Sequence, residues 1–392
     1  MKKLFRFGIC IVISVLSILS TFSQSASAQI DPEAALPIIH TVYTLSNATN
    51  NSVLRLLQRE GKPFRQVGFA TGGSGTGTFL DAPAPLALSP DGRFLVAVNP
   101  GSNNVSLFSV NQNNGNLTLT GQPAGTTGAI PGIQPIGVAI SSTNKAYVLF
   151  AGFPGQGGSI TAFSITSNGL VELSNAARSL STNAQPFQIA VSPNNDLVVV
   201  TERTANVITA YSLDSTGRPG FAIPNPTPGI SPLGITFNRL GFVFSADSVL
   251  GNVNSYFTNP AFSSVTPVSR NIKAAGQEGT ARVVATFNSR FVYASNPLSR
   301  SISRFDANTG TGAITVGQAV AAQTDQWPFD LGLSPRDGSG AQFLYSLNRA
   351  SLLTTAPQTI QLYRVNQTTG ALTFVTTISG IPFTCNGLAA RL

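Results

Sequence analysis

Charge is scarce in this chain: only 10% of its 392 residues are Asp, Glu, Lys or Arg, against about 25% in ordinary soluble domains. A nucleic-acid binder needs basic runs interleaved with aromatics, and here Lys and Arg are scattered, which speaks against nucleic acid as a partner. Two cysteines, Cys10 and Cys385, and one histidine, His40, complete the shortage. They exclude a disulfide framework and any transition-metal site built from histidines or thiolates, leaving only Ca2+ on a few carboxylates and carbonyls as a metal alternative; no metal site and no cofactor are expected. Helix-forming residues are thin as well. Glycine (37), proline (25), serine, threonine and asparagine dominate, a composition suited to short strands and many turns.

The first residues form a recognisable processing segment. Lys2, Lys3 and Arg6 precede an apolar run to Phe22, and Ala26-Ser27-Ala28 stands just before Gln29. This order of basic, apolar and small-residue regions predicts a signal peptide over residues 1–28 and a protein that is secreted or periplasmic. Ser14, Ser17 and Ser20 interrupt the apolar run and no basic stop-transfer flank follows, so no stable membrane insertion is expected after cleavage. Cleavage removes Cys10 and leaves Cys385 without an intramolecular partner. The exported chain must then be held by its core.

Internal repetition determines the architecture. A proline-led segment recurs as Pro83-Ala84-Pro85-Leu86-Ala87-Leu88-Ser89, Pro135-Ile136-Gly137-Val138-Ala139-Ile140-Ser141, Pro186-Phe187-Gln188-Ile189-Ala190-Val191-Ser192 and Pro328-Phe329-Asp330-Leu331-Gly332-Leu333-Ser334, with weaker copies at Pro232 and Arg282. After each copy come a polar turn, a β-branched or aromatic run, a second turn and another run. A unit of four antiparallel strands every fifty residues or so is a propeller blade. A sandwich would not repeat such a unit, and a β-helix would have a shorter period.

Six units begin with the proline-led segment. Residues 40–70 supply three strands without a first, and residues 382–391 supply a first strand with nothing after it. Joined, they make a seventh blade. The fold class predicted is all-β: one seven-bladed propeller domain over residues 29–392, with blades starting near 83, 135, 186, 232, 282, 328 and 382 and the ring closed by pairing the chain's two ends. The glycine-rich stretch Gly72–Gly77 precedes no Lys-Ser/Thr and no helix, so it reads as a flexible link between blades and not as a phosphate loop.

The segments Phe94–Asn99, Val198–Arg203 and Phe291–Asn296, together with the hairpins Asn308–Ile314 and Asn366–Leu372, resemble the repeat of the YVTN and lactonase-like seven-bladed propellers. The resemblance covers essentially the whole exported chain. It implies a central site of acidic, basic and histidine side chains that opens sugar lactones or closes muconate rings. No proline-led segment here carries a histidine, so that mechanism does not transfer residue by residue.

Propeller geometry directs the loops before the first strand, and those between strands two and three, to one face. There the sequence places Gln134, Gln185, Glu278, Arg282, Asp325, Trp327 and Asp330, and also Glu202, Arg203, Asp247, Asn296, Asn348 and Arg349. Arg282 replaces the usual proline and follows Glu278 by four residues. Arg282 with Glu278 or Glu202 is the candidate catalytic set, binding a carboxylate or carbonyl beside a base. The alternative is a salt bridge between blades. Arg203, Asp325, Trp327, Asp330 and Arg349 are candidate ligand-binding residues, with Trp327 equally suited to packing between blades. Two functions follow: an extracytoplasmic module binding a protein or a small carbohydrate or organic acid at the channel face, or a lactone hydrolase or cycloisomerase.

Overall fold

The computed structural model describes residues 36–152, 157–351 and 354–391; the expected signal peptide lies outside them. Seven antiparallel sheets are present, each with at least four strands. The second to seventh blades use consecutive strands. In blade 1, the C-terminal strand Asn386–Arg391 pairs with Ile38–Leu45, followed outward by Ser52–Arg59 and Arg65–Ala70. The chain's two ends therefore close the ring, as the repeat count requires. Among the described residues the only helical segments are single 3-10 turns at Pro260–Phe262 and Pro297–Ser299, and no helix is long and apolar enough to cross a membrane.

The middle strands are apolar on both faces because each blade is covered by a neighbour on either side. Leu197–Glu202 and Phe291–Asn296 are buried at every position, whereas the outer strand Arg65–Ala70 is almost wholly exposed. One tyrosine device recurs between blades. The hydroxyls of Tyr43, Tyr147 and Tyr293 donate to the carbonyls of Gly115, Gly217 and Gly370 in the next blade, at 2.7, 3.0 and 2.8 Å. Tyr345 holds the matching place in blade 7, where the ring closes, and its hydroxyl lies 3.4 Å from Nδ1 of His40. His40 also meets the Phe343 ring edge-on at 4.5 Å. Burial lowers its pKa, so the only histidine is a neutral packing residue in the seam between blades 7 and 1.

At the mouth of the channel the backbone is bent in a repeated way. Gln134, Gln185 and Ser231 have φ of +53°, +43° and +60°, and each immediately precedes the proline that opens a first strand; Ala84, at +54°, precedes Pro85 just ahead of Leu86–Leu88. A left-handed non-glycine residue before proline is doubly disfavoured. It persists because neighbouring groups hold it: Asn103 and Asn206 accept the amides of Gln134 and Ser231 at 2.8 and 2.7 Å.

Candidate functional site at the channel mouth

Blades 6 and 7 bring Arg282 and Asp330 together at the channel wall. Arg282 Nε lies 3.5 Å from Asp330 Oδ1, and the two side chains are 5% and 10% exposed. The sequence pairs Arg282 with Glu278 by spacing; the structure leaves Glu278 exposed and supplies Asp330 from the next blade. Neither Nε nor Nη1 of Arg282 makes a hydrogen bond among the described residues. Its guanidinium sits 4.4 Å from the centroid of Phe187, and Arg203 approaches the same ring at 5.0 Å. Burial pushes Arg282 down to about 10, opposed by the charges of Asp330 and Asp81. Burial also raises Asp330 to about 6 against the pull of Arg282. The result is a dry pair in which burial holds the guanidinium below and the carboxyl above its ordinary range, each opposed by the other's charge.

The segment that the sequence reads as a flexible link runs against blades 1 and 2, and its continuation brings the charge of Asp81 to bear on Arg282. It is ordered instead: Gly75 and Gly77 donate to the carbonyls of Ala48 and Asn47, both at 2.9 Å, and Gly101 donates to Ser74. Gly72 and Gly77 adopt φ of +76° and +73°, which their lack of a Cβ permits. Beyond the glycines, Phe79 contacts the Phe329 ring at 5.5 Å and lies 4.1 Å from the Arg349 guanidinium. Asp81 pairs with Arg203 at 3.0 Å. Leu80 and Ala82 are buried. The segment is a cap fixed at its tip to blades 4 and 7.

Beside the cap, toward blades 3 and 4, a cleft of about 440 Å³ remains open. Thr76, Thr78 and Asp81 line one side, and Gln134, Asn183, Gln185 and Arg203 the other, over a floor that includes Ile136 and Pro186. Its polar equipment is amide, hydroxyl, the carboxylate of Asp81 and one guanidinium whose Nη1 donates to that carboxylate.

The remaining candidates are tied into the scaffold. Glu202 is fully buried and accepts from Thr209 and from the amide of Ser181. Asn99 with Ser106, Asp247 with Asn254, and Asn296 with Ser303 repeat the same contact at the same seven-residue spacing. Glu202 thus holds a hairpin-bracing position shared by four blades, a signal visible in the sequence as a polar pair at i and i+7. Asp247 differs in being raised to about 7 by burial, with Oδ1 unpartnered. Arg349 donates to the carbonyls of Ser351, Phe383 and Thr354, which braces blade 7 against the C-terminal segment. Asp325 accepts from Asn348 at 2.8 Å and Thr359 at 3.0 Å. Trp327 is half-buried, 6.1 Å from Phe329. No group of three or more His, Cys, Asp or Glu suited to a metal ion occurs among the described residues.

The family model for the lactonase, 7-bladed beta-propeller matches residues 46–131 and 252–383, more than half of the chain. The chain belongs to the lactonase family of seven-bladed β-propellers. Among solved structures, this lactonase-family chain is similar to the periplasmic gluconolactonase of Pseudomonas aeruginosa, with a TM-score of 0.65 at 15% identity over 90% of this chain and 98% of that one. A protein of Bacteroides uniformis, assigned only provisionally as a 6-phosphogluconolactonase, gives 0.63 at 16% over 88% and 99%. A Lactobacillus plantarum protein gives 0.64 at 16% over 90% and 99%. These identities speak for the lactonase-family fold alone. No curated protein matches the sequence.

Proposed function

We propose that the protein is an exported lactonase-family propeller that binds a small polyhydroxylated acid or its lactone in the cleft between the cap and blades 3 and 4, without histidine-dependent turnover. The observation that carries this reading is the division of the mouth. The open volume is lined by amides, hydroxyls and the Asp81–Arg203 pair, which suit a hydroxyl-rich ligand whose carboxylate or ring ester would compete with Asp81 for Arg203. The sole histidine is in the seam between blades 7 and 1, and the carboxylate of Glu202 is committed to its hairpin. Export is supported by the basic, apolar and small-residue order of residues 1–28.

The experiment is a titration of the purified protein with gluconate and with glucono-δ-lactone, followed by the fluorescence of its single tryptophan and by calorimetry. Saturable binding that weakens about tenfold or more in Arg203→Ala is the expected result, the loss of a charge-assisted contact. Absence of binding to both ligands by folded protein would remove this reading.

A second reading, lactone hydrolysis at Arg282, is favoured by one specific observation: Nη1 of Arg282 makes no hydrogen bond among the described residues and lies beside the buried carboxyl of Asp330. In that reaction Arg282 would polarise the lactone carbonyl and Asp330 would manage the proton of the attacking water. Turnover that vanishes in Arg282→Met but survives in Arg203→Ala would favour hydrolysis over simple binding.

A further inference from the structure

We propose that the end of the propeller opposite the channel mouth, over blades 4 to 7, is a peripheral docking surface for an anionic lipid bilayer. Antiparallel blades place the connections between strands one and two, and between three and four, at this end. Contacts across three blade boundaries make the surface continuous. Ser212 of blade 4 donates its amide to Ser263 of blade 5 at 2.9 Å, Arg239 of blade 5 lies 3.9 Å over the Phe287 ring of blade 6, and Asn288 of blade 6 donates to Gln367 of blade 7 at 3.0 Å.

Two kinds of side chain stand out from it. Phe221, just past the turn of the strand three-to-four connection of blade 4, and Phe262, at the tip of that of blade 5, are 87% and 75% exposed, and Leu240 and Phe287, at strand one-to-two hairpins, are 53% and 42% exposed. Exposed aliphatic residues occur on the mouth-end loops as well, but the two most exposed phenylalanines among the described residues are both at this end, where they are placed to enter a bilayer interface. Interspersed with them are Arg239, Arg290, Arg336 and Arg364, none of which forms an ion pair among the described residues. Four acids share this stretch and leave the arginines in excess: Asp214 and Asp306 pair with Arg218 and Arg304, Asp196 accepts from Ser192, and Asp337 accepts from the Ser339 and Ala341 amides of its own hairpin and feels the charge of Arg364. Between blade 7's two hairpins at this end lies a cavity of about 470 Å³, with Arg336, Arg364, Asn366 and Gln367 in its wall. Guanidinium and amide donors around such a volume suit a phosphodiester headgroup.

Charge complementarity therefore selects an anionic partner, and the projecting phenylalanines select a lipid surface over a soluble polyanion. Pro224 and Pro226 in the outermost strand of blade 4 also bar an added β-strand along that edge. Docking here leaves the channel mouth facing away from the bilayer and is independent of what the mouth binds.

The test is co-flotation of the purified protein with vesicles of phosphatidylcholine alone and of phosphatidylcholine containing about one-third phosphatidylglycerol. Parent protein is expected to float with the anionic vesicles only, and less at high salt. The double variant Arg336→Gln/Arg364→Gln is expected to lose about tenfold or more in partition, following roughly fivefold per arginine, and Phe221→Ser/Phe262→Ser a comparable factor. These positions lie on the surface, so each variant should keep the parent's circular dichroism and Trp327 emission. All variants share the same N-terminal residues, so any contribution from those cancels. Equal flotation with neutral vesicles, no flotation, flotation unchanged in both variants, or capture by dextran sulfate without capture by vesicles would each overturn the proposal.

Discussion

On one side of the channel mouth, Gln134, Gln185 and Arg203 border an open polar cleft; on the other, Arg282 and Asp330 share a dry site. The blade 3 and 4 wall of the cleft falls in the stretch 132–251 that the family model leaves unmatched, whereas its cap wall, Thr76, Thr78 and Asp81, and the dry pair fall in stretches that it matches. Two arginines approach one phenylalanine ring, Phe187, yet end in opposite environments, Arg203 partly exposed and Arg282 buried. The difference teaches that residue type at a channel position does not decide its chemistry. Which segment supplies the counter-charge decides instead: the neighbouring blade's buried Asp330 for Arg282, the cap's exposed Asp81 for Arg203.

Breaking the dry pair should have the largest effect. Asp330→Ala leaves a buried guanidinium without its counter-charge and is expected to cost about 3–5 kcal/mol in urea unfolding. Arg282→Met with Asp330→Leu should recover most of that loss, because an apolar pair of similar volume carries no desolvation penalty.

The buried acids give the comparison a pH axis. Asp247 and Asp330 have folded-state pKa values raised to about 7 and 6, above the ordinary carboxylate value of about 4. Between pH 4 and those values the folded state binds more protons than the unfolded state, so stability falls as pH rises through the window. Asp247→Asn, which installs the side chain that blades 2 and 6 use at this position, should abolish its share of the slope. It should stabilise the protein by about 2–4 kcal/mol at pH 8, read from unfolding midpoints across pH. A steeper slope in that variant would show that Asp247 is ionised and stabilising.

Opening the cap comes next. Phe79→Ala removes the contact with Phe329 and Arg349 and is expected to cost about 1–2 kcal/mol, as a half-buried aromatic should. The emission of Trp327, beside Phe329, is expected to shift to the red. No shift would place the anchor of the cap elsewhere.

The smallest effect is expected on the wet side. The Asp81–Arg203 pair is 55% and 27% exposed, so Asp81→Asn should change stability by less than about 1 kcal/mol. It should alter ligand affinity at the cleft more than it alters the fold.

The blades and their closure were legible in the sequence because the proline-led segments repeat at a fixed interval and the two terminal fragments are complementary. The dry pair was half legible. Arg282 and Asp330 were both assigned to the channel, but spacing along the chain suggested Glu278 as the partner, and contact between neighbouring blades is not encoded in local spacing. The cap was not legible, since Gly72–Gly77 has the composition of a linker, its glycines are held by Asn47 and Ala48 of blade 1, and Phe79 and Asp81 meet residues more than a hundred positions away. The bracing role of Glu202 was written in the sequence as Glu202 with Thr209, parallel to Asn99 with Ser106.

The closing strand Asn386–Arg391 forms the innermost wall of blade 1. A chain emerging N-terminus first therefore receives part of its hub last. Six complete blades can form while the seventh still lacks its inner strand, and the open edge of Ile38–Leu45 stays available to other strands until then. A chain ending a few residues early would be a nearly finished ring with one sticky seam, and the last six strand residues would act as the latch that separates a finished molecule from an aggregation-prone one.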